Sequence, residues 1–462
     1  MPTGKYMAFQ TYANQIGETP EPIHVSEYRQ RQEKLYSQLD DNSALILCSP
    51  KEKIRSNDVH FPYRTNSDLL YLTGWKDPDC VLLAIKKDNV WTTTLFVQES
   101  NIELEIWEGR RPGVEGAKKN WAIDEAYPSE SISKILSERL KSVSIVYHCV
   151  GFNIKVDNLV ENSINSRNRA RQQIGEGPTQ RIDPSLLISE MRLIKSDAEI
   201  NLMRYSANIS SIAHIEAMKN CFTGIGEWQI QAIIEGYFKF LGAKNWAYPS
   251  IVGCGENATI LHYHENNKIC NDGEIILIDA GSEYEGYAAD ITRSWPINGK
   301  FSDSQMKIYN LVLKSQRAAI QKCVVGNQYI EAHIAASKVL AEGLVELGII
   351  HCSAEEALEN GELKKYFMHG TGHWLGLDVH DVGIYKPNGE PRVFEPGMVI
   401  TIEPGLYFGD WRSDLTDLDP KWAGIGIRIE DDILITENGP EVLSSLCPKD
   451  IHELESLIGQ SN

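Results

Sequence analysis

Four acidic residues stand where apolar runs would otherwise continue. The run Glu274–Ala280 (EIILIDA) carries Asp279 near its end, and Asp290 sits inside Gly286–Arg293 (GYAADITR). Nearer the C-terminus, Val399–Glu403 (VITIE) and Gly426–Glu430 (GIRIE) each end on a glutamate. A chain reversal at Tyr284–Glu285 would set Asp279 and Asp290 opposite each other, with Cβ atoms about 5 Å apart. Two anions ~4 Å apart repel by about 4 kcal/mol at an effective dielectric of about 20. Such a group must take up protons or bind cations.

Histidines accompany them. Met368–Val382 (MHGTGHWLGLDVHDV) holds His369, His373 and His380, and Ile260–His264 (ILHYH) adds His262. The spacing of His369 and His373 imitates the i,i+4 pair of a zinc helix. Gly370 and Gly372 disfavour a helix there, however, and the glutamate of HExxH is missing. A glycine-rich loop or strand is expected, with one histidine on a metal and the others lining the cleft. Carboxylate-rich, thiol-free ligation with one imidazole suits hard divalent ions such as Mn²⁺, with Co²⁺ or Zn²⁺ as alternatives. Four carboxylates and a histidine exceed the needs of one zinc ion and suit two ions sharing a water.

The elements that must position these groups fall into two parts. Short apolar runs at Ser43–Cys48, Cys80–Ile85, Trp91–Val97 and Ser144–Cys149 read as buried strands between helical stretches, an α/β layered domain. The polar stretch Glu161–Arg181 reads as a surface helix and loop approaching a boundary near 185. Beyond it, Ser196 with Glu199 has capping-box spacing before an apolar helical period, and a second helix covers Glu227–Leu241. Strands are expected at Ser250–Cys254, Glu274–Asp279 and Ala288–Trp295. The pattern then recurs: Ser302 with Gln305 opens a helix to about Lys322, another runs over Tyr329–Leu347, and strands follow at Met398–Ile402 and Ile425–Ile435. Two helices followed by strands, twice over, indicate an internally duplicated α+β domain.

Composition sets the outer limits. The 462 residues, 42% hydrophobic and 24% charged, predict two or three folded domains rather than a disordered chain. A net charge of −19 argues against nucleic-acid or anionic-membrane partners. The nine cysteines show no CxxC and are odd in number, so reduced thiols in a cytoplasmic protein are expected. No stretch approaches 18 apolar residues, and the N-terminal tail 1–22 lacks the apolar core of a signal peptide.

Asp279, Asp290 eleven residues later, then HGTGHWLGLDVHD, TIEPGLY and GIRIEDD in this order resemble the pita-bread metallopeptidases, most closely the aminopeptidase P type. Tyr63–Trp75 (YRTNSDLLYLTGW) and Ile106–Pro112 (IWEGRRP) extend the resemblance into the N-terminal half, so that it spans about 24–450. It implies a creatinase-like α/β domain over 23–185 and a pita-bread catalytic domain with pseudo-two-fold duplication over 186–462. The implied reaction is release of the N-terminal residue from peptides with proline second, by water activated between two divalent ions. By the same resemblance Asp279 would hold one ion, Asp290 and Glu430 would bridge, and His373 and Glu403 would serve the other.

The resemblance also implies roles around the metals. His262 and His380 would contact substrate and stabilise the tetrahedral intermediate, and His369 would shape the proline-side pocket. Arg428, two residues from Glu430 on one strand face, would hold that carboxylate ionised, with Tyr407 a further polar group at the site. Glu403 would move the proton from water to the leaving nitrogen. Asp58 and Trp107 match positions that reach a neighbouring subunit's active site, which implies a homodimer or homotetramer; read alone, they are a loop acid and a core tryptophan. Tyr385–Arg392 (YKPNGEPR) follows the family pattern only loosely and leaves Arg392 without a role. A dipeptide-only prolidase is the alternative enzyme, and a binding module of the same fold, which predicts missing ligands, the non-enzyme alternative.

Overall fold

The computed structural model describes residues 12, 14–88, 90–169, 175–415 and 417–460. Two compact units separate: Glu21–Arg192, and Leu193 onward together with the N-terminal segment ending at Pro20. The break falls after Arg192 rather than at 185 because the helix Ser185–Leu193 is tied into the first unit. There the Tyr71 hydroxyl donates to the Met191 carbonyl at 3.1 Å and Arg192 pairs with Asp68 at 2.7 Å. Nor is the stretch before Pro20 a featureless tail. Ile16 is buried in the second unit's core, and Asn208 Nδ2 donates to its carbonyl at 2.9 Å.

In the first unit all four apolar runs become strands of one six-stranded sheet. They are β1 (Ser43–Cys48), β2 (Val81–Lys87), β3 (Val90–Val97) and β5 (Ile145–His148), joined by β4 (Glu125–Pro128) and β6 (Gln180–Ile182) in the order β4-β3-β2-β1-β5-β6. The β1, β2 and β5 centres are buried on both faces, which is why they read as continuous apolar runs rather than alternating ones.

The second unit contains the duplication. Helices α1 (Asp197–Lys219) and α2 (Glu227–Phe240) precede β7 (Ile251–Cys254), β8 (Ile275–Asp279) and β9 (Thr292–Pro296), paired in that order as an antiparallel sheet. Helices α3 (Asp303–Ile320) and α4 (Tyr329–Glu346) then precede β10 (Val399–Ile402), β11 (Gly405–Phe408), β12 (Ile425–Arg428), β13 (Asp431–Thr436) and β14 (Gly439–Val442). Both expected capping boxes form, Ser196 with Glu199 and Ser302 with Gln305, each satisfying backbone donors at a helix start.

Three local expectations are corrected. The segment 425–435 is two strands, not one: β12 pairs with β11, while β13 sits between β10 and β14. The chain crosses from one sheet to the other at Ile429–Glu430. The reversal after β8 falls at Glu285–Gly286, both with positive φ (52° and 95°), the twist a two-residue hairpin turn favours. And Cys254 joins Cys270 in a disulfide, against the expectation of reduced thiols throughout, because the fold lays two segments 16 residues apart side by side with Cα atoms 5.5 Å apart. The other seven cysteines are free. Among the described residues no helix is long and apolar enough to cross a membrane.

Candidate functional site

Asp279 closes β8, and its ladder partner is Thr292 rather than Asp290. The later turn shifts the register by two, so Asp290 lies in the irregular link 289–291 before β9. That link folds tightly over Gly281, where an added Cβ would meet the Ala289 carbonyl oxygen at 1.7 Å. The two carboxylates converge all the same. The Tyr248 hydroxyl lies 2.6 Å from Asp279 Oδ1 and also contacts Asp290 Oδ1. One phenolic proton cannot serve two carboxylates, so the arrangement wants additional positive charge.

Glu430 occupies the crossover between β12 and β13 and is 1% exposed. It accepts from the Thr292 hydroxyl at 2.6 Å. Ligand atoms of Asp290, His373 and Glu430 lie within 4.8 Å of one another. Glu403 follows β10, pinned by its N–H to the Thr371 carbonyl at 2.7 Å, and its Oε1 is 3.8 Å from His373 Nε2. Burial, reinforced by neighbouring carboxylates, raises the pKa values of Asp290 and Glu430, and it lifts Glu403 to about 7.

His373 is oriented for a cation. Its Nδ1 donates to the Trp374 carbonyl at 3.0 Å, which leaves Nε2 facing Asp290 Oδ2 at 3.4 Å. Burial opposes its imidazolium, but the bond to Asp290 and the charges of Asp290 and Glu403 prevail and lift it to about 9. The loop glycines permit this packing: a Cβ on Gly372 would meet the Thr401 carbonyl oxygen at 1.8 Å. Thr401 Oγ1 accepts from the His373 N–H at 3.0 Å.

Arg428 reaches Glu430 through Thr292, whose Oγ1 accepts from Arg428 Nε at 3.1 Å and donates to Glu430 at 2.6 Å, and its charge favours the Glu430 carboxylate. Arg428 Nη2 donates to Asp279 Oδ2 at 2.6 Å. Its Nη1 donates to the Tyr407 hydroxyl at 3.0 Å. His369 Nδ1 donates to the Gly370 carbonyl at 2.7 Å, so its Nε2 accepts from Tyr407 at 2.8 Å. Burial and the Arg428 charge hold this imidazole neutral, with its pKa near 3.

All five sequence-predicted ligands line one cavity of about 430 Å³, with His262, His369, His380 and Arg428. Tyr407 is fully buried behind it. His262 and His380 are exposed at its edge, and the His380 ring centre is 4.4 Å from that of His373. Asp58 and Trp107 belong to the first unit and are not among the lining residues. Asp58 is exposed, and Trp107 is 86% exposed on the helix Ile102–Glu108 rather than in a core.

Sequence reasoning missed Tyr248, Thr292 and His264. No pattern marks Tyr248, whose role depends on a long-range approach. Thr292, two residues after Asp290, and Thr401, two before Glu403, were open to detection by strand alternation. Asp432 was also missed: its buried carboxylate accepts from the Asp290 N–H at 3.2 Å.

Residues 201–437 match the model of metallopeptidase family M24, and 28–147 match the aminopeptidase P N-terminal domain. An Xaa-Pro aminopeptidase of Haemophilus influenzae is 40% identical over 433 residues, 94% of this chain and 97% of that protein. An aminopeptidase structure from Pseudomonas aeruginosa superposes with a TM-score of 0.90 at 42% identity, covering 94% of this chain and 98% of the other. A zinc-substituted Escherichia coli aminopeptidase P in complex with product gives the same score at 38% identity, over 95% and 98% of the chains.

Proposed function

Because the chain belongs to metallopeptidase family M24 and carries the aminopeptidase P N-terminal domain, we infer that this cavity performs Xaa-Pro aminopeptidase chemistry. It hydrolyses the peptide bond before a proline in second position and releases the N-terminal residue. The observation that carries this reading is the convergence of four carboxylates and one correctly oriented imidazole in a single buried cavity. The dipeptide-only alternative is not favoured, since the full-length relatives are named as aminopeptidases. The pita-bread binding module is not favoured either, because the donor set is complete.

Asp279, Asp290, His373, Glu403 and Glu430 would hold two divalent ions. With Mn²⁺ the best match to this carboxylate-rich set, those ions would supply Lewis acidity at the carbonyl and an activated water. Glu403, beside the site that water would occupy, would take the water's proton and deliver it to the leaving nitrogen. That nitrogen must gain a proton to depart as the proline amine, and Glu403 would supply it. His262 and His380, at the cavity edge, would hydrogen-bond the carbonyl oxygen and the substrate backbone. Neutral His369, held by Tyr407 and Gly370, would shape the proline side.

The oligomer is part of the proposal: the helix Ile102–Glu108 has no buried residue, as expected of a surface that a second subunit covers. So is a cytoplasmic location, where the seven free thiols would stay reduced and the Cys254–Cys270 bond would be the exception. The test is hydrolysis of an Xaa-Pro-Yaa tripeptide beside an Xaa-Pro dipeptide, using chelator-stripped protein with and without Mn²⁺ and a Glu403→Ala control. Metal-dependent tripeptide cleavage that the control lacks is the expected result. Cleavage of the dipeptide alone would move the protein to prolidase.

A further inference from the structure

Next to the catalytic cavity the second unit carries another groove, of about 520 Å³. One wall is the face of α4 that presents His333, Ile334, Ser337 and Lys338; the other is the short helix Ala354–Glu359 with the turn Glu362–Lys365. Phe367 is buried in the groove, while Ile334, Leu358 and Met368 leave 57%, 40% and 37% of their surface open. Contiguous exposed apolar side chains in a concave surface mark a binding site rather than ordinary surface.

His369 lines both the groove and the catalytic cavity. Its ring meets Phe367 edge-on at 4.9 Å, and Phe367 lines the groove. Lys338 and Lys364 are the lysines that line it, and among the described residues no carboxylate lines it. Lys364 is exposed and has no ion pair among the described residues, and Lys338 has only a 3.9 Å contact with Glu342. Two weakly compensated lysines above an apolar floor stand out in a chain of net charge −19, where most surfaces would repel an anion.

We propose that this groove binds the peptide downstream of the scissile proline, with apolar side chains on its floor and a carboxylate beyond the proline held at Lys364 and Lys338. The inference rests on the aminopeptidase reading and adds a specificity to it: a preference for short peptides with a free C-terminus or an acidic residue after the proline.

The test compares Ala-Pro-Leu-Leu as the free acid and the C-terminal amide, and adds an amidated Ala-Pro-Glu-Leu to separate side-chain from terminal carboxylates. Kinetics are measured on the metal-loaded protein and on Lys338→Glu/Lys364→Glu, both positions being exposed. The wild type is expected to favour a carboxylate-bearing peptide, and the KM ratio of acid to amide to rise about tenfold in the variant. Binding of Pro-Leu-Leu acid and amide by calorimetry reads the same preference without turnover. Failure to cleave any Xaa-Pro peptide would therefore count against the aminopeptidase reading and leave the groove measurable. A preference in either carboxylate arm that the variant loses supports the proposal, and identical ratios in both proteins would overturn it.

Discussion

Arg428 Nη2 lies 2.6 Å from Asp279 Oδ2 in the buried floor of the cavity, and the same guanidinium holds Tyr407 and Thr292. Asp279 is thereby oriented while Tyr407 is aimed at His369. Lysine offers a point charge and cannot reproduce three directed contacts. Arg428→Lys is expected to lower metal affinity and activity by about 10–100-fold with the fold intact. Metal titration by calorimetry beside circular dichroism checks both halves.

The metal-free protein should lose stability as pH rises from about 6.5 to 9. His373 is lifted from its ordinary value to about 9, so in that window the native state binds a proton that the unfolded state has released. Its contribution is complete below 6.5 and gone above 9. The buried Glu430 carboxyl, also raised, acts in the same sense. Divalent ions compete with that proton, so the gain in melting temperature on adding Mn²⁺ should grow with pH. Melting curves of chelated His373→Asn should show a shallower decline over this window, and an unchanged slope would sink the idea.

Gly372→Ala should destabilise the loop carrying His373. The added Cβ meets the Thr401 carbonyl oxygen at 1.8 Å, and backbone there cannot give way cheaply. A cost of about 1–3 kcal/mol is expected, with a weakened metal site. Gly370→Ala is the control, since its Cβ would have only one neighbour, at 3.9 Å.

Lys195 and Asp381 form an ion pair at 3.0 Å with each side chain 1% exposed, beside His380. Lys195→Met leaves a buried carboxylate short of its cation and should cost about 3–5 kcal/mol in urea unfolding. Adding Asp381→Leu should recover part of that loss. A single-variant cost under about 1 kcal/mol would show that water reaches the pair.

The elements were legible where local physics determines them. Both capping boxes and the four strands around Leu45, Leu83, Leu95 and Val146 follow from spacing and apolar runs, which tertiary contacts only reinforce. Register was less legible. Moving the turn by one residue, to Glu285–Gly286, changed the partner of Asp279 from Asp290 to Thr292, because a hairpin's pairing is set by its turn. Segment 425–435 misled in the same way: its apolar pattern is continuous while its hydrogen bonds change sheets.

The sequence by itself determined the chemistry: four carboxylates and a histidine set into apolar segments are too costly to bury without a cation, so their types and order already imply metal-dependent hydrolysis. Tertiary structure alone decided which group serves which. Arg428 bonds Asp279 directly and meets its near neighbour Glu430 through Thr292, and Tyr248 reaches both Asp279 and Asp290. It also decided that Cys254 meets Cys270. Such contacts depend on where distant segments are brought together, and a one-dimensional pattern carries no distance between segments that are not neighbours in the chain.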